Sequence, residues 1–395
     1  MSRIRVNNLR KVYDVPGGEE IAVDNVNLDI SNTDFLTLLG PSGCGKTTTL
    51  RCIAGLETPT EGTVYYDDDD VTPKLAQERD ISMVFQEIAL YPHMKCIDNI
   101  AYPLKVRGVS KDERHERARE VAEILEVGGL VKKHPAELSG GQRQRIAIAR
   151  AIVREPRAFL MDEPMTGLDE KLKVVMRKEL KRVVNETNQT VVYVTHSQQE
   201  AMMLSDHIAV MNEGQIEQVG SPNEVYSEPN NRFVATFVGM PEMNIWDARV
   251  AGDSIKVDLG GGQRIEFSPR DDASDSSRKR KTAWSSRSGS DIDIGFRPQA
   301  LSLVQREQGD INAELRLVEP MGENDLCYLD VGNLEIRVLA SDASGVEEHT
   351  TVGIDIDRQS GYVFDGELGS TIARTGGATE VEARNTAADY ATTDD

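Results

Sequence analysis

Eight residues, Gly40-Pro41-Ser42-Gly43-Cys44-Gly45-Lys46-Thr47, constrain what this chain can fold into more than any other stretch. The apolar run Phe35–Leu39 leaves no room for a helix before Gly40, so it reads as a buried strand. Residues 47–54 read as a helix ended near Gly55. A glycine-rich segment between a strand and a helix lets the backbone curl until its N–H groups point inward. The helix adds the positive end of its dipole. That combination cradles phosphate. Lys46 neutralises the β- and γ-phosphates of a nucleotide in this reading, and the Thr47 hydroxyl ligates Mg²⁺. Thr48 completes the cradle. Cys44 reads as a small side chain filling a loop position rather than as a redox sensor.

Three further places fit a nucleotide site. Phe159-Leu160-Met161-Asp162-Glu163 is an apolar strand ending in two acids. Beside the phosphate loop, Asp162 stands behind the Mg²⁺ and Glu163 is the candidate general base for the attacking water. His196 follows another apolar strand and ends near the same sheet edge, where a neutral imidazole hydrogen-bonds the γ-phosphate. A strand-end histidine taken singly is more often structural; the nucleotide site upstream reverses that. Leu138-Ser139-Gly140-Gly141-Gln142 precedes a helix through Ala147 and Ala151. Ser139 caps that helix and the glycines expose backbone N–H groups, a second phosphate-binding surface. One chain needs one cradle, so this surface is expected to serve ATP held by another subunit.

Charge narrows the partners. The chain has 66 Asp plus Glu against 45 Lys plus Arg, a net charge of −21. A phosphate backbone is repelled by such a surface, which argues against nucleic acid. The excess is spread along the chain, with blocks at residues 67–70 and 394–395. It points to a salt-rich cytoplasm, such as a halophile's, where screening relieves self-repulsion. No run approaches the ~18 apolar residues of a membrane-spanning helix. The N-terminus lacks the apolar core of a signal peptide. The expectation is a cytoplasmic chain whose membrane role comes through a partner. Cys44, Cys52, Cys96 and Cys327 read as free thiols, since no two sit at metal-ligand spacing.

Periodicity organises the rest. Short strands are expected at 4–6 and 23–30, and helices at 110–127, 140–153 and 170–186, with buried strands at 158–161 and 190–194. Alternation of this kind gives a mostly parallel sheet covered by helices. After about residue 235 short alternating strands follow one another through residue 338, the pattern of a small all-β barrel. Residues 269–290, rich in Ser, Asp and Arg, read as a flexible insertion. Its basic cluster at 278–281 reads as a solvated loop. Residues 369–395 read as a disordered acidic tail.

The order of Tyr13, the phosphate loop, Gln86, Leu-Ser-Gly-Gly-Gln, the strand ending in Asp162-Glu163, Asp169 and His196 resembles that of ATP-binding-cassette (ABC) ATPases. The resemblance implies an ATPase domain over 1–238 with a helical subdomain at about 87–155. It implies that Tyr13 stacks on adenine, that Gln86 senses Mg²⁺ and the γ-phosphate while linking to the membrane subunit, and that Asp169 contacts the opposing monomer. ABC ATPases work as head-to-tail dimers with two ATP molecules between phosphate-loop and Leu-Ser-Gly-Gly-Gln faces. The partner is an identical chain or a sister ATPase. Residues 83–108 and 237–244 resemble sugar importers of the maltose and glycerol-phosphate type. Residues 295–301 and 318–332 resemble their oligonucleotide-binding-like (TOBE) accessory domain, expected here over 239–368.

The resemblance further implies two membrane permeases, an extracytoplasmic solute-binding protein and a peripheral place on the cytoplasmic face of the membrane. Xylose or arabinose, glucose, trehalose or maltose, and glycerol phosphate are the candidate cargoes. The alternative is a polyamine, iron or oxyanion importer. An ABC ATPase acting on DNA or ribosomes disagrees with the single cassette and the negative charge. Residues 89–94, with Tyr91 and Met94, either line a groove for a permease helix or pack in the core. The pattern is broken at Ser197, where Asp is usual, and at Thr166-Gly167, where Ser-Asn is usual. The charge makes one expectation of its own: the melting temperature should rise with added KCl, and stability already maximal at low salt would refute the salt-rich reading.

Overall fold

The computed structural model describes residues 2–85, 89–154, 156–252, 254–270 and 287–376. Its contacts divide the chain into two units, Met1–Glu228 and Pro229–Asp395. The first unit opens with a long antiparallel hairpin of β1 (Ile4–Val15) and β2 (Gly18–Ile30). It is longer than the strands expected at 4–6 and 23–30. Register irregularities after Val6 and Leu9, with Asn8 at φ 46°, break the alternation without ending the ladder. There follow β3 (Phe35–Leu39), α1 (Lys46–Ala54), β4 (Glu61–Tyr66), β5 (Asp69–Asp70) and β6 (Ile81–Val84). Next come α2 (Cys96–Val106), α3 (Lys111–Ile124), α4 (Gly140–Ile152), β7 (Ala158–Asp162) and α5 (Glu170–Thr187). The unit ends with β8 (Val191–Thr195), α6 (Gln198–Leu204), β9 (His207–Asn212), β10 (Gln215–Gly220) and α7 (Pro222–Ser227). Helix α2 is hidden in the sequence by Pro103, which sits inside it.

The central sheet has six strands in the order β10-β9-β3-β8-β7-β6. All neighbours pair in parallel except β10, which runs antiparallel to β9. Its middle strands are buried on both faces, as parallel strands under helices must be. Alternate side chains feed two cores. Phe159, Met161, Val191 and Tyr193 pack with α2–α5, whereas Leu160, Val192 and Val194 pack with α1 and the antiparallel sheet β2-β1-β4-β5.

Two arginine sites hold these layers. Arg107 and Arg154 both pair with Asp80, the second at 2.5 Å, tying the helical part to the start of β6. Arg79 is 1 % exposed and donates to four carbonyls: Lys74 at 3.0 Å, Cys52 at 2.8 Å, Ile53 at 2.9 Å and Thr72 at 3.2 Å. Cys52 and Ile53 lie in the last turn of α1, whose carbonyls have no partner within the helix. The arginine therefore caps the far end of the helix that begins with Lys46. Within the acidic block, Asp67 accepts from Arg157 at 2.9 Å and Asp69 from Lys74 at 2.6 Å, so part of that charge is paired.

The second unit begins with α8 (Arg232–Phe237) and continues with β11 (Asn244–Ala251), β12 (Ser254–Gly260), β13 (Gln263–Arg270), β14 (Asp291–Phe296), β15 (Leu301–Val304) and β16 (Ile311–Pro320). The remaining strands are β17 (Asp325–Val331), β18 (Leu334–Ala340), β19 (Thr351–Ile356), β20 (Tyr362–Asp365) and β21 (Thr371–Gly376). Strands β11-β12-β13-β21-β20-β14 close a barrel, and β15-β19-β16-β17-β18 form a five-stranded sheet. The antiparallel arrangement is consistent with an oligonucleotide-binding-like domain. Ala235 of α8 packs with Met243, Tyr362 and Phe364, which is why this helix falls with the second unit rather than before residue 238.

Two expectations change. Residues 371–376, expected in a disordered tail, form the strand that closes the barrel, pairing with both β13 and β20. Pro269 and Arg270, expected in the insertion, belong to β13, and Arg287 pairs with Asp365 at 2.6 Å. The cluster at 278–281 and the tail beyond residue 376 lie outside the described residues. Replacing Arg79 with methionine keeps bulk but removes a charged donor from four carbonyls, of which Cys52 keeps the Gly55 N–H at 3.2 Å and Ile53 keeps the Tyr66 hydroxyl at 2.8 Å. The expected loss in denaturant unfolding is about 3 kcal/mol; a loss near zero would show that Arg79 is not an anchor.

Candidate functional site

Parallel pairing sets the site. Leu39 pairs with Thr195 and Asp162 with Val194, so β3, β8 and β7 end side by side at one sheet edge. Gly40, His196 and Glu163 each follow one of these ends. Ligands of open parallel sheets bind outside such carboxyl ends.

The phosphate loop is held by close backbone approach. Gly45 has φ 98°, and a Cβ there would lie 2.3 Å from the Ala22 carbonyl oxygen on β2. Both facts demand glycine. The buried Cys44 side chain packs in the core beneath the loop, and burial pushes its thiol pKa up. That agrees with a filler rather than a reactive thiolate. Lys46 is 5 % exposed and donates to the loop's own Gly40 and Pro41 carbonyls at 2.9 and 2.7 Å. Its charge thus lies inside the loop. Pro41, Ser42, Gly43 and Thr48 complete the segment, with Gly43 at φ 81°. Tyr13 pairs with Glu20 on the β1–β2 hairpin whose Ala22 touches Gly45, so one ladder serves both.

Thr47 Oγ1 donates to Asp162 Oδ1 at 2.9 Å, joining the phosphate loop directly to the end of β7. Asp162 is 4 % exposed. Burial raises its pKa, and the Thr47 hydrogen bond pulls the other way. A buried carboxylate beside a hydroxyl is a hard-oxygen donor pair of the kind that Mg²⁺ takes, so these residues fit that ion. Gln86 lies outside the described residues.

Glu163 sits at φ 43°, a left-handed conformation that is uncommon outside glycine and clusters at functional sites. Its Oε1 lies 3.2 Å from His196 Nδ1, and its Oε2 accepts from Thr166 Oγ1 at 3.1 Å. The histidine is held from behind. Buried Glu200 accepts from Tyr193 at 2.8 Å and from Thr195 at 2.7 Å, and Thr195 Oγ1 accepts from the Ser197 N–H at 3.0 Å. Sequence reasoning passed over Glu200 and marked Thr166 only as a departure from the ABC pattern, not as a neighbour of Glu163. Neither belongs to a periodic or glycine-marked pattern, and only the folded turns bring them to the site.

The remaining residues are helix starts. Ser139 Oγ accepts from the Gln142 N–H at 3.3 Å and the Gln142 side chain returns to the Ser139 N–H at 3.1 Å, a reciprocal cap of α4. Leu138 is buried. The two glycines differ. A Cβ on Gly141 would lie 2.2 Å from Leu172 Cδ2, whereas one on Gly140 meets nothing within 4 Å. A side chain on Gly141 would have to displace the half-buried Leu172 side chain of α5; this chain gives no packing reason for Gly140. Asp169 caps α5 through the Leu172 N–H at 3.0 Å. Tyr91 and Met94 are half-buried, with the Tyr91 ring 4.7 Å from that of Tyr102.

A parallel sheet with this loop and these strand ends is a nucleotide-hydrolysing P-loop domain. Comparison with known proteins narrows it. The family model described as ABC transporter matches residues 23–166. The chain is 43% identical over 384 residues to the trehalose/maltose import ATP-binding protein MalK of Thermococcus litoralis, covering 94% of this chain and 100% of that one. It is 39% identical to the xylose/arabinose import ATP-binding protein XacK of Haloferax volcanii, covering 94% and 96%. It is also 39% identical to the sn-glycerol-3-phosphate import ATP-binding protein UgpC of Pectobacterium atrosepticum, covering 93% and 99%. The dimeric structure of MJ0796, an ABC transporter cassette, matches with TM-score 0.51 at 34% identity, over 55% of this chain and 98% of that one. The chain therefore belongs to the ABC transporter family, as an ATP-binding, ATP-hydrolysing member.

The two glycines provide a test. Gly141→Ala should lower the melting temperature of the isolated chain through the clash with Leu172. Gly140→Ala should leave that temperature unchanged yet reduce ATPase activity at protein concentrations that support dimers. Full activity in Gly140→Ala would remove Gly140 from the phosphate-binding surface.

Proposed function

We propose that this chain is the energy-coupling ATPase of a sugar importer. The observation that carries the reading is similarity along more than nine-tenths of the chain, second unit included, to import ATP-binding proteins for trehalose or maltose and for xylose or arabinose. The second unit is then the TOBE-type accessory domain. In the assembled transporter two such ATPases, identical or sister chains, sit on the cytoplasmic face of the membrane against two permeases. Among the described residues no helix is long and apolar enough to cross a membrane. A solute-binding protein outside the membrane supplies the cargo.

In this reading the chemistry divides among the residues as follows. The loop 40–48, through its backbone N–H groups other than at Pro41, and the Lys46 ammonium bind the phosphates, exchanging Lys46 from the loop carbonyls to phosphate oxygens. Thr47, Asp162 and Gln86 would hold Mg²⁺, which would supply positive charge against the phosphates. Glu163 accepts a proton from the attacking water, and His196 hydrogen-bonds the γ-phosphate in place of its present contact with Glu163. Tyr13 stacks on the adenine. Residues 138–142 bind the γ-phosphate of the ATP held by the partner, and Asp169 meets that partner.

Glu163→Gln should keep ATP binding and lose most hydrolysis; near-normal turnover would remove Glu163 from the base role. Lys46→Ala should weaken nucleotide binding, and unchanged affinity would refute the cradle. For the cargo, a deletion strain should be assayed for uptake of xylose, arabinose, glucose, trehalose, maltose and glycerol phosphate. Loss of one sugar identifies the substrate, whereas loss confined to polyamine, iron or oxyanion uptake overturns the sugar reading.

A further inference from the structure

The segment between β7 and α5 contains Thr166 and Gly167, where the sequence leaves the usual ABC pattern. Its flanks are fixed. Met165 is 1 % exposed in the core beneath α2–α5, and Asp169 caps α5. Between these anchors Thr166 and Gly167 are exposed. Gly167 has φ 82°, and an added Cβ would meet nothing within 4 Å. Backbone conformation, not crowding, selects the residue there. Asparagine also tolerates the left-handed region, so the exchange of Asn for Gly preserves the turn.

That turn aims Thr166 back at Glu163. The Thr166 N–H donates to the Glu163 carbonyl at 3.2 Å, closing a tight turn from Glu163 to Thr166. The Thr166 hydroxyl then reaches Glu163 Oε2 at 3.1 Å. The other carboxylate oxygen faces His196 at 3.2 Å. A glutamate side chain turns about three bonds, and every unproductive rotamer dilutes the one that meets the water. The His196 contact cannot supply that restraint during hydrolysis if the imidazole turns to phosphate. The Thr166 contact can, because it leaves Oε1 unoccupied. Threonine's β-branching restricts its own χ1, so the hydroxyl arrives already oriented.

We propose that Thr166 is a positioning residue for hydrolysis: its hydroxyl holds Oε2 of Glu163 so that Oε1 faces the attacking water. This rests on the reading of Glu163 as the base, and the test separates the two. ATPase rates of the full chain are compared for Thr166→Val, which keeps the shape and removes the hydroxyl, and Thr166→Ser, which keeps the hydroxyl. Thr166→Val should lower kcat about tenfold, the worth of one hydrogen bond to a charged group. Its KM for ATP should stay within about twofold, since a positioning loss acts on the transition state alone. Thr166→Ser should restore most of the rate.

In a Glu163→Gln background Thr166→Val should cost nothing further, because the group it orients is gone. Thr166→Val at wild-type rate with Glu163→Gln inactive overturns this inference and leaves the base reading intact. An active Glu163→Gln overturns the base reading itself. Equal losses in Thr166→Val and Thr166→Ser, or a loss carried by KM, would overturn the hydroxyl's role. Thr166 is exposed, so these variants should melt as the wild type does; Thr166→Ala replaces Thr166→Val if that substitution alone unfolds the chain.

Discussion

The whole site depends on parallel register. Three neighbouring strands, β3, β8 and β7, end together, and each end passes one functional group to the same edge. Antiparallel pairing of any one of them would carry its group to the opposite edge. Buried hydrophobic alternation fixes that register, because a slip by one residue would exchange the side chains of the two cores. The hydrogen bond from Thr47 to Asp162 then joins the first of these ends to the last. It locks loop to strand, whereas the alternation only aligns them.

Much of this was legible in the sequence, for identifiable reasons. Glycine spacing at residues 40–45 marks a backbone conformation that few other residues adopt. The short apolar runs at β3, β7 and β8 are buried strands because they are too short for helices. Helices α3, α4 and α5 show in their amphipathic periods. The fold class and the ATPase family followed from these features. Other parts had no local signal. Helix α2 contains a proline, β1 carries Asn8 in a left-handed conformation, and β21 sets a single Ile372 among Thr, Ala, Arg and Gly residues that also occur in disordered tails. Only pairing with two distant strands makes β21 a strand. The contacts of Glu200 and Thr166 were illegible for a related reason: each depends on where a turn directs a side chain.

The departures from the usual ABC sequence show what is being kept. Ser197 stands where aspartate is usual, and its hydroxyl accepts from the Glu200 N–H at 3.3 Å at the start of α6. Either residue caps a helix. Gly167 for asparagine keeps a left-handed turn, and Thr166 for serine keeps a hydroxyl. Each exchange changes the residue and preserves its local physical task. Positions of this kind tolerate substitution within a narrow chemical set, so a departure from pattern there is weak evidence for altered activity.

The closing strand of the barrel carries a practical consequence. β21 is the last element among the described residues, and it pairs on one side with β13 and on the other with β20. Barrels escape edge-to-edge association because closure leaves no strand edge open. A chain shortened to end at residue 370 would look harmless on paper, since it discards only what resembles a polar tail. It would instead uncover two strand edges at once. Fusion partners and tags at the C-terminus therefore belong beyond Gly376, where they hang from a sealed barrel rather than replacing its seam.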